Sequence, residues 1–127
     1  MIQAGDSIPH FDVTRISGSR IEYTSIWQRK NLVLVLLPAT ESPESMSYIS
    51  RVADRLPDLT AYDTECVVTR DVVSDVPGPA VVIADRWGEV CKVWTESNIA
   101  DLPHVDAILE WLRFVQMQCP ECEGESH

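Results

Sequence analysis

Residues 31–56, NLVLVLLPATESPESMSYISRVADRL, combine a buried strand with the start of a helix. Residues 32–37 are apolar at every position, which is typical of a central strand covered on both faces. After a turn-rich segment, apolar residues recur at helical spacing, at Met46, Ile49, Ala53 and Leu56. The helix is predicted to end at Leu56, because the following Pro57 disfavours helix at the preceding residue. The stretch predicts strand, loop and helix N-terminus, and that terminus favours an anionic group.

The segments on either side complete an α/β pattern. Residues 11–23 predict an N-terminal hairpin around Gly18, and residues 62–69 predict a second strand parallel to the first. Residues 79–85 and 89–94 predict a further hairpin, and an apolar stripe after Pro103 predicts a last helix that ends near Met117. The connection at 70–78 is too short for a helix with its turns. We therefore expect a central mixed sheet with helices on both faces and one crossover helix missing.

Length and charge narrow the functional classes. The chain has 127 residues, enough for one domain, and a net charge of −10. Phosphate binding needs clustered basic residues and anionic membranes repel acidic proteins, so neither nucleic acid nor a membrane is an expected partner. The longest apolar run, residues 32–39, is too short to span a bilayer. The first residues lack the pattern of a signal peptide, so we expect a cytoplasmic protein.

The four cysteines fall into two classes. Cys66 and Cys91 lie within predicted strands and are interpreted as core residues. Cys119 and Cys122 form a C-x-x-C pair in the acidic tail, residues 118–127, which follows the predicted domain at 1–117. The pair has three interpretations: a redox-active dithiol or disulfide, half of a zinc site completed by a second chain or by His127, or no chemical role. No other cofactor is expected.

Four segments in the same order resemble the thioredoxin-like redoxins, specifically the AhpC/TSA (peroxiredoxin-like) superfamily. Residues 5–11, GDSIPHF, are similar to the family's opening GD-x-A-P-x-F, and residues 18–27 are similar to the segment that follows it. Residues 31–37 fit the family's apolar strand, and residues 79–90, PAVVIADRWGEV, are similar to its P-x-x-x-x-x-D-x-x-G-x-V motif. The resemblance covers about residues 4–115 and implies a thioredoxin-like fold with oxidoreductase or antioxidant activity.

The resemblance also implies where the active site lies. Alignment at Pro38 with the peroxiredoxin motif P-x-x-x-T-x-x-C puts Ser42 at the threonine and Ser45 at the cysteine. In thioredoxins the same two positions are the cysteines of C-x-x-C. Pro79 is similar to the proline that thioredoxins keep in the cis form opposite the active site. Because the 70–78 connection should end near Ser42, we expect carboxylates around this position, from Glu41, Glu44, Asp71 and Asp75. A serine there lacks a nearby histidine base, which argues against hydrolysis.

These observations leave three functional hypotheses. The first is a non-catalytic binding or regulatory redoxin, with a protein partner or a second copy of the chain. The second is a thiol-disulfide oxidoreductase or antioxidant protein that works through Cys119 and Cys122. The third is a zinc site at the same two cysteines that stabilises the tail or a dimer. The three hypotheses differ in whether the chain is an enzyme.

Overall fold

The computed structural model describes the backbone of residues 1–125 and the side chains of residues 1–117. The N-terminal hairpin has strands β1 (Asp12–Thr14) and β2 (Arg20–Glu22), which pair antiparallel and lead into a 3-10 helix, Tyr23–Ser25. The remaining elements, in chain order, are β3 (Asn31–Leu36), α1 (Pro43–Asp54), α2 (Leu56–Thr60), β4 (Thr64–Thr69), β5 (Ala80–Ala84), β6 (Val90–Thr95), a 3-10 helix (Ile99–Asp101) and α3 (Val105–Glu125).

The main sheet has four strands in the order β4-β3-β5-β6. β3 and β4 are parallel, with Leu36 opposite Thr69 at their C-terminal ends. β5 pairs antiparallel with both β3 and β6, so the sheet is mixed, as predicted. Every residue of β3 is buried, which confirms that this apolar strand lies at the centre with both faces covered.

The two faces of the sheet are covered by different structures. On one face, Val33 and Val35 pack against α1, α2 and α3. On the other, Leu32 and Leu34 pack against the hairpin and the 3-10 helix at Tyr23–Ser25. Helices thus lie on both faces, but in the described residues the second face has only this one turn of helix. No helix is found between β4 and β5, and this confirms the missing crossover helix.

Two helix boundaries differ from the prediction. α1 ends at Asp54, and Leu56 starts a separate short helix with Pro57 in its first turn. Proline is tolerated in a first turn because the N–H that it lacks has no intrahelical partner there. α3 also continues to Glu125, beyond Met117, where its apolar stripe ends. None of the helices in the described residues has both the length and the apolar character needed to cross a membrane.

Candidate functional site

The N-terminus of α1 is closed by a reciprocal pair of serines. Ser42 is the N-cap, and its Oγ accepts a hydrogen bond of 3.2 Å from the backbone N–H of Ser45. The Ser45 Oγ in turn accepts from the backbone N–H of Ser42, at 3.1 Å. This capping box satisfies two donors that the helix leaves unpaired, and Pro43 in the first turn fits the same geometry.

Ser45 has no hydrogen-bonding capacity left over. Besides accepting from Ser42, its hydroxyl donates to the Ser42 carbonyl oxygen at 3.0 Å and accepts from Arg70 Nη2 at 3.1 Å. A serine hydroxyl can donate once and accept twice, so all three positions are occupied. The side chain is also completely buried, at 0% exposure. The hydroxyl is therefore a structural junction between helix, loop and Arg70.

Arg70 is the residue of this site that the sequence analysis missed. It directly follows β4, and because β3 and β4 are parallel their C-terminal ends meet at one edge of the sheet. There its Nη1 donates to the carbonyl oxygen of Pro38 at 2.8 Å, while Nη2 reaches Ser45 and lies 4.0 Å from the Met46 sulfur. A guanidinium thus adds positive charge to the positive end of α1.

The carboxylates expected around Ser42 are joined there by a cation. The 70–78 connection does reach the N-terminus of α1, but it does so through Arg70. The neighbouring Asp71 has its Oδ2 2.7 Å from the backbone N–H of Thr14, so this carboxylate serves the hairpin. Glu41 and Glu44 are exposed. The group in contact with Ser45 is a cation, which would favour rather than oppose an anion there.

Pro79 has the predicted cis bond. The Gly78–Pro79 peptide is cis, and Pro79 is buried immediately before β5. Together with Pro38 and Glu44 it lines a surface groove beside the N-terminus of α1. The fold therefore brings the three predicted positions, Ser42, Ser45 and Pro79, to one end of the sheet.

The two histidines in the described residues, His10 and His104, contact groups other than the Ser45 hydroxyl. His10 makes edge-to-face contacts with Tyr23 and Trp27, with ring centroids 5.2 and 5.1 Å apart. His104 Nδ1 lies 3.2 Å from the backbone N–H of Asp106, at the start of α3. Neither imidazole is a hydrogen-bond partner of the Ser45 hydroxyl, whose positions are all occupied. His127 lies outside the described residues.

The cysteines of the sheet differ in burial. Cys66 is buried in β4, and this burial, with a smaller contribution from the negative charge of Glu65, raises the pKa of its thiol to about 12. Because the thiolate is the reactive form, Cys66 is expected to be inert at neutral pH. Cys91 is only half-buried in β6, and its Sγ lies 3.6 Å from the Glu89 carbonyl oxygen. The core assignment is thus confirmed for Cys66, and for Cys91 only in part.

The side chains of the tail pair, Cys119 and Cys122, lie outside the described residues. Their redox, zinc and inert interpretations remain predictions. Across residues 1–117, His, Cys, Asp and Glu side chains do not gather in groups of three or more that could hold a metal ion.

The parallel β3–β4 pair, the antiparallel β5–β6 pair, the N-terminal hairpin and the cis proline together define a thioredoxin-like fold of the peroxiredoxin type. The fold is similar to that of reduced 2-Cys peroxiredoxin from Plasmodium vivax, with a TM-score of 0.78 and 16% identity over 92% of this chain and 83% of that one. It is also similar to peroxidoxin BcpB from Mycobacterium tuberculosis, with a TM-score of 0.70 and 14% identity over 91% and 99% of the two chains.

A third similar structure is a cysteine-to-serine mutant of peroxiredoxin 6 from Arenicola marina, with a TM-score of 0.73 and 14% identity over 93% of this chain and 75% of that one. No family model matches the sequence, and no curated protein matches it. At these identities the likeness establishes the fold.

Proposed function

We propose that this chain is a peroxiredoxin-like domain in which Ser45 stands in place of the reactive cysteine, and that it acts as a non-catalytic binding or regulatory protein. The observation that carries the proposal is the state of the Ser45 hydroxyl. By the resemblance this hydroxyl takes the position of the peroxiredoxin nucleophile, yet it is completely buried and its three hydrogen-bonding positions are filled by Ser42 and Arg70.

The chemistry of the site supports a non-catalytic role. A helix N-terminus and a cation can lower the pKa of a thiol into the useful range, but a serine hydroxyl needs an adjacent base. The guanidinium of Arg70 offers only hydrogen-bond donors, so it cannot accept the hydroxyl proton. The positive setting that would activate a thiolate therefore remains, while the group that it would activate is a serine.

The binding partner that we propose is a second copy of the chain, joined through strand β6. This strand is at the edge of the sheet, and the N-terminal segment covers only its beginning, where Gly5 N–H donates to the Val90 carbonyl oxygen. Beside the edge, the Lys92 ammonium lies 5.4 Å from the ring centroid of Trp94 and 5.8 Å from that of Trp111. On the adjoining surface of α3, Phe114 is 50% exposed.

The sequence of β6 favours one register for this pairing. An antiparallel pair centred on Val93 places Lys92 of each chain opposite Trp94 of the other, so that both ammonium groups meet an aromatic side chain. A pair centred on Lys92 would place two ammonium groups opposite each other, and like charges in this position destabilise a sheet. The interface is then symmetric, as expected for a two-chain assembly.

A hydroperoxide-turnover assay with a thiol reductant tests the non-catalytic role. The wild-type protein is expected to show no catalytic consumption above the reductant alone, and the Cys119→Ser/Cys122→Ser variant should give the same result. Turnover by the wild type that disappears in the variant would assign oxidoreductase activity to the tail. Turnover that both proteins share would place activity elsewhere in the domain. Either result overturns the proposal.

A further inference from the structure

Met46 is a chemically reactive side chain in contact with the guanidinium of Arg70. The thioether is 46% exposed at the start of α1, and its sulfur lies 4.0 Å from Arg70 Nη2. An ordinary N–H···O hydrogen bond is about 2.9 Å long between heavy atoms. An oxygen atom bound to the Met46 sulfur could approach Nη2 to this distance and would accept the hydrogen bond better than the sulfur does. Sulfoxide oxygens are polar, whereas thioether sulfur accepts only weakly.

We propose that Met46 is a site of oxidation by hydroperoxides, and that Arg70 both promotes the oxidation and holds the product. This inference rests on the contact between Arg70 and Met46 and does not depend on the absence of a cysteine. In the reaction, a sulfur lone pair attacks the distal oxygen of the hydroperoxide. The S–O bond forms as the O–O bond breaks, and the proton of the transferred oxygen moves to the leaving oxygen, which becomes water or an alcohol. Sulfur loses two electrons and the hydroperoxide gains them.

Arg70 is well placed for both parts of this role. Negative charge develops on the leaving oxygen, and a fixed guanidinium stabilises such charge without rearranging. Its bonds to Pro38 and Ser45 hold the planar group in position before the oxidant arrives. Once the sulfoxide has formed, Nη2 can donate to its oxygen as a charge-assisted hydrogen bond. Methionine sulfoxide is reducible by sulfoxide reductases, so the modification can be reversed.

The other two methionines provide internal controls. Met1 is 76% exposed and Met117 is 64% exposed, so both are more accessible than Met46. If exposure alone set the rate of oxidation, Met46 would react most slowly of the three. Faster oxidation of Met46 would therefore have to come from its surroundings.

The test is a time course with limiting hydrogen peroxide, with sulfoxide at each methionine measured by peptide mass spectrometry. In the wild type, Met46 is expected to react several-fold faster than Met117, and in Arg70→Gln no faster than Met117. Arg70→Leu, which also removes the charge and the donors, replaces Arg70→Gln if that variant does not fold. Rates that follow exposure in the wild type would overturn the proposal. So would a Met46 preference that survives the loss of Arg70.

Discussion

Arg70 Nη2 and Ser45 Oγ are joined by a hydrogen bond of 3.1 Å between two residues that are 25 positions apart in the chain. The bond connects the end of β4 to the first turn of α1, and a second bond from Arg70 to the Pro38 carbonyl oxygen fixes the loop between β3 and α1. The predicted active-site end of the sheet is thereby stabilised by a cation. The two bonds hold the loop and the start of α1 together, and the bond to Ser45 occupies one of the accepting positions of its hydroxyl.

Arg70→Gln should lower the free energy of unfolding by about 1.5–3 kcal/mol, because hydrogen bonds from a charged donor have this magnitude and the partners include buried Ser45. Urea denaturation gives the value. Arg29→Gln is the control, since Arg29 is exposed and its replacement should change stability by less than about 0.5 kcal/mol. Equal effects of the two substitutions would show that the Arg70 contacts contribute nothing specific.

The capping box predicts a cost of about 1 kcal/mol for Ser42→Ala, because the Ser45 N–H loses its acceptor. Ser47→Ala on the same helix is the matched control, as Ser47 is exposed and lies beyond the cap. Its effect should be within about 0.5 kcal/mol of zero. Thermal and urea unfolding of both variants measure the difference, and a neutral Ser42→Ala would contradict the role of the cap.

Alkaline pH should destabilise the fold through Cys66. The pKa of its thiol is about 12 in the folded chain against an ordinary value of 9.0, so between these values the unfolded chain releases a proton that the folded chain retains. Stability is therefore complete below about pH 9 and falls as pH rises toward 12, with a slope of up to about 1.4 kcal/mol per pH unit.

Cys66→Ala should flatten this slope between pH 9 and 10, where Tyr23 does not yet contribute. Burial raises the pKa of Tyr23 from 10.0 to about 12, so Tyr23→Phe should affect only the region above pH 10. Unfolding in urea at a series of pH values measures both. An unchanged slope in Cys66→Ala would contradict this assignment.

The proposed dimer predicts that Phe114→Glu weakens association by tenfold or more, about 1.4 kcal/mol, because a charge would enter an apolar contact. Val72→Glu is the control, since Val72 is 93% exposed and lies in the 70–78 connection, which follows β4 at the opposite edge of the sheet from β6. Sedimentation equilibrium of the three proteins gives the dissociation constants. A wild type that stays monomeric at all concentrations tested, or equal effects of the two substitutions, would rule out this interface.

The sequence predicted those features that depend on local pattern. The apolar run of β3 gave the central strand, and the similarity around Pro79 gave the cis bond. The predicted end of α1 was wrong because Pro57 was interpreted as ending that helix, whereas it lies in the first turn of the next one. Proline is compatible with both positions. Arg70 was missed since its contact depends on the register of β3 with β4, which brings distant residues together. The acidic residues nearby predicted a negative environment, and Arg70 adds a positive charge to it.

The most direct test of the account is the reactivity of the thiol introduced by Ser45→Cys. The positive end of α1 and Arg70 favour the thiolate and should outweigh the opposing effect of burial, so that its pKa lies below that of an ordinary thiol. Treatment with hydrogen peroxide should then give a sulfenic acid at position 45, trapped with dimedone and identified by mass spectrometry. Formation should slow in Ser45→Cys/Arg70→Gln. A thiol at this position that stays unmodified in the folded protein, while exposed methionines oxidise, would contradict the claim that this site is a peroxiredoxin-type centre without its sulfur.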